Sequence, residues 1–242
     1  MKAISSELRQ AFAVTEELRV VINYGNPILA HRPVSGDEPQ GVSVDIARRL
    51  AQALNLRLRL VTVDTAGFAV KAVENGEADV GFFAIDPVRG AQIAFTSPYI
   101  IIEGCYLVRE HFPAYALGDI DVAGNRIAVG EGSAYDLFLT REIQHATLVR
   151  APSSPAVVNT FIEQNLEIAA GVRQQLEADR STKPGLRLIE EPFMQIRQAM
   201  GVPKARGQQA SIWLDDFIRG LIAEGFIHQA LSRHSIIGVT VP

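Results

Sequence analysis

The sequence predicts an α/β protein of two lobes, each a mainly parallel sheet flanked by helices, with two hinge crossings between them. Three observations carry this expectation. Strand-like and helix-like segments alternate from Leu18 onward, the pattern of parallel strands covered by crossover helices. The alternation breaks at His111, Phe112 and Pro113 and then restarts. The 242 residues also suffice for two cores of about 100 residues each.

Taken in order, Ile4, Leu8, Ala11 and Phe12 recur at helical spacing and predict an opening amphipathic helix. Arg19 to Asn23 is a β-branched strand. Val44, Ala47, Leu50, Ala51 and Leu54 share one helical face against Arg48, Arg49 and Gln52, so this helix lies on a sheet. Leu56 to Val63 opens by alternating Leu and Arg, as a strand near an edge does. Ala69 to Asn75 is helical and Gly76 stops it. Val80 to Ile85 is apolar enough to be a central strand.

Tyr99 to Arg109 leads to the first crossing. Beyond it, strands are expected at 126–129, 147–150, 168–170 and 186–189, and helices at 134–143, 155–164 and 172–178. Gln195 to Val202 reads as a strand crossing back, and Ser211 to Leu231 as helices interrupted at Gly225. The predicted lobes are therefore 1–108 plus 196–242, and 109–195. In such α/β units ligands bind outside the carboxyl ends of the strands, which places the expected site between the lobes.

Composition narrows the function. A net charge of -4, with Lys and Arg scattered along the chain, gives no electrostatic footprint for nucleic acid. Cys105 is the one cysteine; it excludes an intrachain disulfide and reads as a small core residue. Glu103 interrupts the longest apolar run, well short of the ~18 residues of a membrane span. Met1 and Lys2 are followed by Ser5, Ser6, Glu7 and Arg9 instead of an apolar stretch, so the chain reads as either processed or cytosolic. His31, His111, His145, His228 and His234 show no metal-ligand spacing, and no dinucleotide, P-loop or nucleophile-elbow motif occurs. No metal, no cofactor and no catalytic group is expected.

Four stretches carry a resemblance. Gly41-Val-Ser-Val-Asp45-Ile-Ala47 is followed by Gly76-Glu-Ala-Asp79-Val-Gly81, with Asp86-Pro-Val-Arg89 and Ile93-Ala-Phe-Thr-Ser-Pro-Tyr99 close behind. Gly124 to Ser133 and Met200 to Arg233 complete the set. In order and spacing they resemble the family 3 extracellular solute-binding proteins, which serve ABC importers of amino acids and related solutes. The resemblance implies the two-lobed type II periplasmic-binding-protein fold and capture of a small-molecule carboxylate by hinge closure. It also implies a periplasmic location and an ABC transporter permease as partner, the receptor itself being a monomer. Two other readings of the same fold stand beside it: a cytosolic ligand sensor, favoured by the lack of a leader, and a cyclohexadienyl-dehydratase-like enzyme. The enzyme would need Glu167, Glu131 or Glu103 as a general acid.

Residue by residue, the resemblance places Arg89 on the ligand carboxylate, where its planar fork can form two parallel hydrogen bonds. Spacing alone leaves open a surface arginine paired with Asp86. Ser133 is placed as N-cap of a helix with Asp136 three residues on; either free amides at this helix start, where Gly132, Ser133 and Ala134 lie, close on the same anion, or the position is a plain N-cap with no ligand. Ser153 and Ser154 before Pro155 repeat the pattern as a plain cap. Asn23, Tyr24 and Asn26 end the first strand, where family members cover the ligand. Phe82 and Phe83 end the third strand, either at the cleft edge or in the core. Phe82 and Ala84 occupy places where some amino-acid-binding members carry hydroxyls, so a drier pocket is expected. Val172 falls where the family usually has the aspartate that receives a ligand ammonium, unless Glu167 substitutes. The expected ligand is a small carboxylate-bearing solute, an amino acid or, in preference, an organic acid without an α-ammonium, since an unmatched buried ammonium bears a desolvation penalty.

Overall fold

The structure, a computed structural model, describes residues 5–13, 16–33 and 38–242. The chain divides into two compact units, the first running up to Ile101 and resuming at Arg197, the second being Ile102–Ile196.

Unit 1 begins with α1 (Ser6–Phe12), capped by Ser5, whose side chain accepts from the Leu8 amide. Ile4, expected in this helix, lies outside the described residues. Strand β1 (Glu17–Asn23) is followed by α2 (Val42–Leu54). This helix starts before the expected Val44 because Gly41 enters it at φ +128°, with the backbone of Leu29 only 2.4 Å from where a Cβ would stand. Its predicted apolar face is the buried one: Val44, Ala47, Leu50, Ala51 and Leu54 are all inside, each large side chain contributing roughly 1.5–3 kcal/mol. Strand β2 (Arg57–Val63) pairs in parallel with β1 at the sheet edge, as its alternation requires.

Helix α3 (Ala66–Glu74) is capped by Thr65, and β3 (Val80–Ala84) follows with all five residues buried. Next comes β4 (Ile93–Phe95), a three-residue strand the sequence reading did not anticipate.

Unit 2 opens within β5 (Ile100–Arg109). Its residues Gly104–Val108 pair with a strand of this unit, so the crossing comes earlier than the break at His111 indicated. There follow β6 (Arg126–Gly130), α4 (Ala134–Glu142), β7 (Thr147–Ala151), a 3-10 turn (Ser154–Ala156), α5 (Val157–Glu163), β8 (Ile168–Val172), α6 (Arg173–Thr182) and β9 (Leu186–Leu188). Several boundaries differ from expectation. The helix expected from Pro155 winds its first turn as 3-10, β8 runs on through Val172, which becomes the N-cap of α6, and α6 continues to Thr182, past the expected end at 178. Strand β10 (Met194–Pro203) carries the chain back to unit 1. Helices α7 (Gln208–Ala223) and α8 (Phe226–Arg233) close the fold, separated at Gly225, whose φ of +73° suits glycine.

In unit 1 the strand order is β2-β1-β3-β10, with β4 antiparallel on β10 and β1 parallel to both β2 and β3. In unit 2 it is β5-β8-β6-β7, with β9 on β5 and β6 parallel to both β7 and β8. A buried carboxylate pins unit 1: Asp79 accepts from Arg19 N, Nε and Nη2, and from Arg206 Nη2 at 2.6 Å.

Candidate functional site

Parallel pairing brings the carboxyl ends of β1, β2 and β3 to one edge of unit 1, at Asn23, Val63 and Ala84. It does the same for β6, β7 and β8 in unit 2, at Gly130, Ala151 and Val172. Every ligand-binding residue expected from the sequence falls on or next to one of these ends.

In unit 1, Asp86 shapes the turn after β3 by accepting from the Val88 amide at 2.8 Å, while its carbonyl accepts from the Gly90 amide. Arg89 opens a single 3-10 turn and is 4% exposed. Its Nη1 donates to the Ala84 carbonyl at 3.2 Å. Burial pulls the Arg89 pKa down to about 10 and the charge of Asp86 opposes that shift, so the group is a cation at neutral pH held where charge is disfavoured. Alternation along β3 separates the two phenylalanines. Phe83 packs with Ala69, Val73, Ile93 and Phe95 in the core under α3. Phe82 and Ala84 face the other way, Phe82 meeting Tyr99 edge-on at 6.0 Å. Of the two readings weighed for Phe83, the core is the one observed.

At the end of β1, Asn23 accepts from the Gly25 amide at 2.8 Å and so closes a local turn. The Arg32 guanidinium lies over the Tyr24 ring at 4.8 Å and pairs with Asp64 at 2.7 Å. Burial raises the Tyr24 pKa, partly offset by Arg32. Asn26 turns the chain through its carbonyl, which accepts from the Leu29 and Ala30 amides. Its side-chain Oδ1 is buried without a hydrogen-bond partner among the described residues.

In unit 2, Ser133 caps α4 as expected, its Oγ accepting from the Asp136 amide at 3.0 Å. Not every amide at this helix start is free. The Gly132 N–H is taken by Asp136 Oδ2 at 2.9 Å and that of Ser133 by the Gly130 carbonyl. Those of Ala134 and Tyr135 have no acceptor among the described residues. Asp136 is itself paired with Arg150, at 3.1 Å. Ser153 makes no side-chain cap.

Val172 ends β8, and the next residue is a cation: Arg173 Nε donates to Glu103 at 2.6 Å and Nη2 to the Glu190 carbonyl. Glu167 cannot take the place of the missing aspartate, because it precedes β8 at the opposite end of the strand. There it accepts from Arg126 N, Nε and Nη2, contacts that hold its pKa low. Cys105 is fully buried, and burial pushes its thiol up to about 11.

Sequence reasoning did not single out Arg150 or Tyr135. The register Val129↔Arg150 across β6 and β7 sets Arg150 beside the start of α4, and the small Gly130 leaves room for the Tyr135 ring behind the turn. Among the described residues no three His, Cys, Asp or Glu side chains gather to hold a metal ion, and no helix is long and apolar enough to cross a membrane.

Two units of this topology, linked by two crossings, define the two-lobed type II periplasmic-binding-protein fold, and solved structures agree. The chain superposes on the solute receptor for L-cysteine of Neisseria gonorrhoeae with a TM-score of 0.80 and 18% identity, covering 93% of this chain and 92% of that one. It is similar also to the ancestral amino-acid-binding protein AncCDT-1, a precursor of cyclohexadienyl dehydratase, with a TM-score of 0.77 and 15% identity over 94% and 99% of the two chains. Residues 18–235 match the bacterial extracellular solute-binding proteins, family 3, and the chain belongs to that family. Among curated proteins it is 23% identical to the amino-acid-binding protein AabA of Dichelobacter nodosus over 165 residues. That match takes in 66% of this chain and 64% of the relative's length.

Proposed function

We propose that this chain is the solute receptor of an ABC-type uptake system, capturing a small carboxylate-bearing solute by closure of its lobes and returning it unchanged. The observation that carries the reading is Arg89. A guanidinium 4% exposed at the end of β3, with burial working against its charge, is stabilised by any anion that reaches it. The partly exposed Ala134 at the N-terminus of α4 adds an amide from unit 2.

The solute is an organic acid without an α-ammonium. The carboxylates near the strand ends are committed: Asp86 to the Val88 amide, Asp64 to Arg32, Asp136 to Gly132 and Arg150, Glu103 to Arg173. Glu131, in the turn after β6, is exposed, and a hydrated carboxylate offsets little of the desolvation of a buried ammonium. Phe82 and Ala84 supply apolar surface in place of hydroxyl groups, and the Tyr24 ring adds an aromatic face. We place the receptor in the periplasm, as a monomer working with a permease.

A thermal-shift screen of phenylpyruvate and 4-methyl-2-oxopentanoate against L-phenylalanine and L-leucine tests the reading. Oxo acids are expected to raise the melting temperature more than their amino counterparts, and Arg89→Ala to abolish the response. Recovery of a chemically altered compound from the mixture overturns the receptor reading in favour of an enzyme.

A further inference from the structure

The Tyr135 phenol has no part in the ligand reading above. Tyr135 is the second residue of α4 and is 2% exposed, and its Oη is buried without a hydrogen-bond partner among the described residues. It lies beneath the turn that leads into its own helix. A methyl group added at Gly130 would stand 2.8 Å from Tyr135 Oη and 2.8 Å from Ser154 Cα, so the phenol occupies the place where the exits of β6 and β7 meet. Burial raises its pKa, and the neighbouring hydroxyls of Ser154 and Ser133, with the Gly130 backbone, work against the rise. These groups surround Oη, yet none holds it in hydrogen-bond geometry.

Phenylalanine would fill the same space without leaving a hydroxyl unmatched, so a tyrosine at this position calls for an explanation in use. The neighbouring serine supplies one. Ser133 Oγ already accepts from the Asp136 amide. A hydroxyl has two acceptor lone pairs and one proton. If its second lone pair takes the Tyr135 O–H, the Ser133 proton has only an anion left to serve. That proton would then act beside the Ala134 and Tyr135 amides, which have no acceptor of their own among the described residues. We propose that Tyr135 is a positioning residue for an anion at the N-terminus of α4, its O–H aligning the Ser133 hydroxyl to donate to the carboxylate of the solute. The inference rests on the carboxylate-receptor reading above and adds a residue to it. A chain of hydroxyls of this kind strengthens each member when it is complete.

Calorimetric titration of phenylpyruvate and 4-methyl-2-oxopentanoate into wild type, Tyr135→Phe, Ser133→Ala and the double variant, with a melting curve of each protein alone, provides the test. Tyr135→Phe is expected to weaken binding about tenfold while its ligand-free melting temperature stays level or rises. In the Ser133→Ala background the same change is expected to add less than twofold, since the two act as a unit. Affinity within twofold of wild type in Tyr135→Phe overturns the inference. So does a ligand-free melting temperature that falls in step with affinity, or a loss that is fully additive with Ser133→Ala. Wild-type protein that binds neither acid nor L-phenylalanine nor L-leucine overturns the receptor reading and the inference with it, whereas equal binding by wild type and Tyr135→Phe removes the inference alone.

Discussion

In the proposed carboxylate site, Arg89 shows what a single side chain would contribute. Its fork supports two charge-assisted hydrogen bonds to a carboxylate, each worth roughly 1.5–3 kcal/mol. Arg89→Lys keeps the charge and loses the fork; it is expected to weaken an oxo acid about tenfold or more in a calorimetric titration. Asp79 is the opposite kind of buried ion, one that holds the fold. It is 1% exposed and bonded to both Arg19 and Arg206, so Asp79→Ala strands two guanidiniums and is expected to cost about 3–5 kcal/mol in a denaturant melt. Glu167 makes the pH-dependent case. Hydrogen bonds from Arg126 hold its folded pKa below the ordinary value of 4.5, so its contribution is complete above that value and is lost as pH falls through the folded pKa. Melting curves of wild type and Glu167→Gln should differ at pH 7 and converge as the pH falls through the folded pKa of Glu167. A constant gap would show that the pair is not what separates them.

Elements were legible in the sequence wherever they carried a period. Helix α2 displayed its buried face as a 3.6-residue repeat, β2 its edge position as alternation, and β3 its central position as an unbroken apolar run. Strand β4 has three residues, too few to show a period, and its place is set by antiparallel pairing to β10, which is remote in sequence. The same limit hid the site's details. That Glu167 would sit at the amino end of β8 facing Arg126 depends on strand register, which pattern alone does not fix; that Asp136 would reach back to the Gly132 amide four residues earlier depends on the local turn and the side-chain rotamer, which residue types alone do not fix. Ser133 was readable because an N-cap is a local device. Gly41 opens the stretch Gly41-Val-Ser-Val-Asp45-Ile-Ala47, and the structure supplies its physical reason. At φ +128°, with the Leu29 carbonyl oxygen 2.4 Å from a would-be Cβ, Gly41→Ala is expected to destabilise by at least about 1–3 kcal/mol. A thermal melt checks it, and an unchanged midpoint would mean the entry to α2 can rearrange.

At the scale of the whole molecule, the chain builds two cores and visits the first of them twice. Unit 2 is continuous from Ile102 to Ile196, with its own buried set that includes Ile127, Val129, Phe161, Ile168 and Leu176. Unit 1 needs both of its segments, because β10 pairs with β3 and α7 and α8 arrive only after the return crossing. Such a molecule has no physical requirement to unfold in one step when it is empty. On the proposed receptor reading, an anion held both by Arg89 and by the start of α4 would impose one, since neither unit could open without losing the binding free energy. At a hundred times the dissociation constant that free energy is about 2.7 kcal/mol. Scanning calorimetry with saturating phenylpyruvate is therefore expected to move the transitions of both units upward and draw them together, and to move neither in Arg89→Ala. A shift confined to one transition would assign the bound acid to one unit and remove the case for capture by closure.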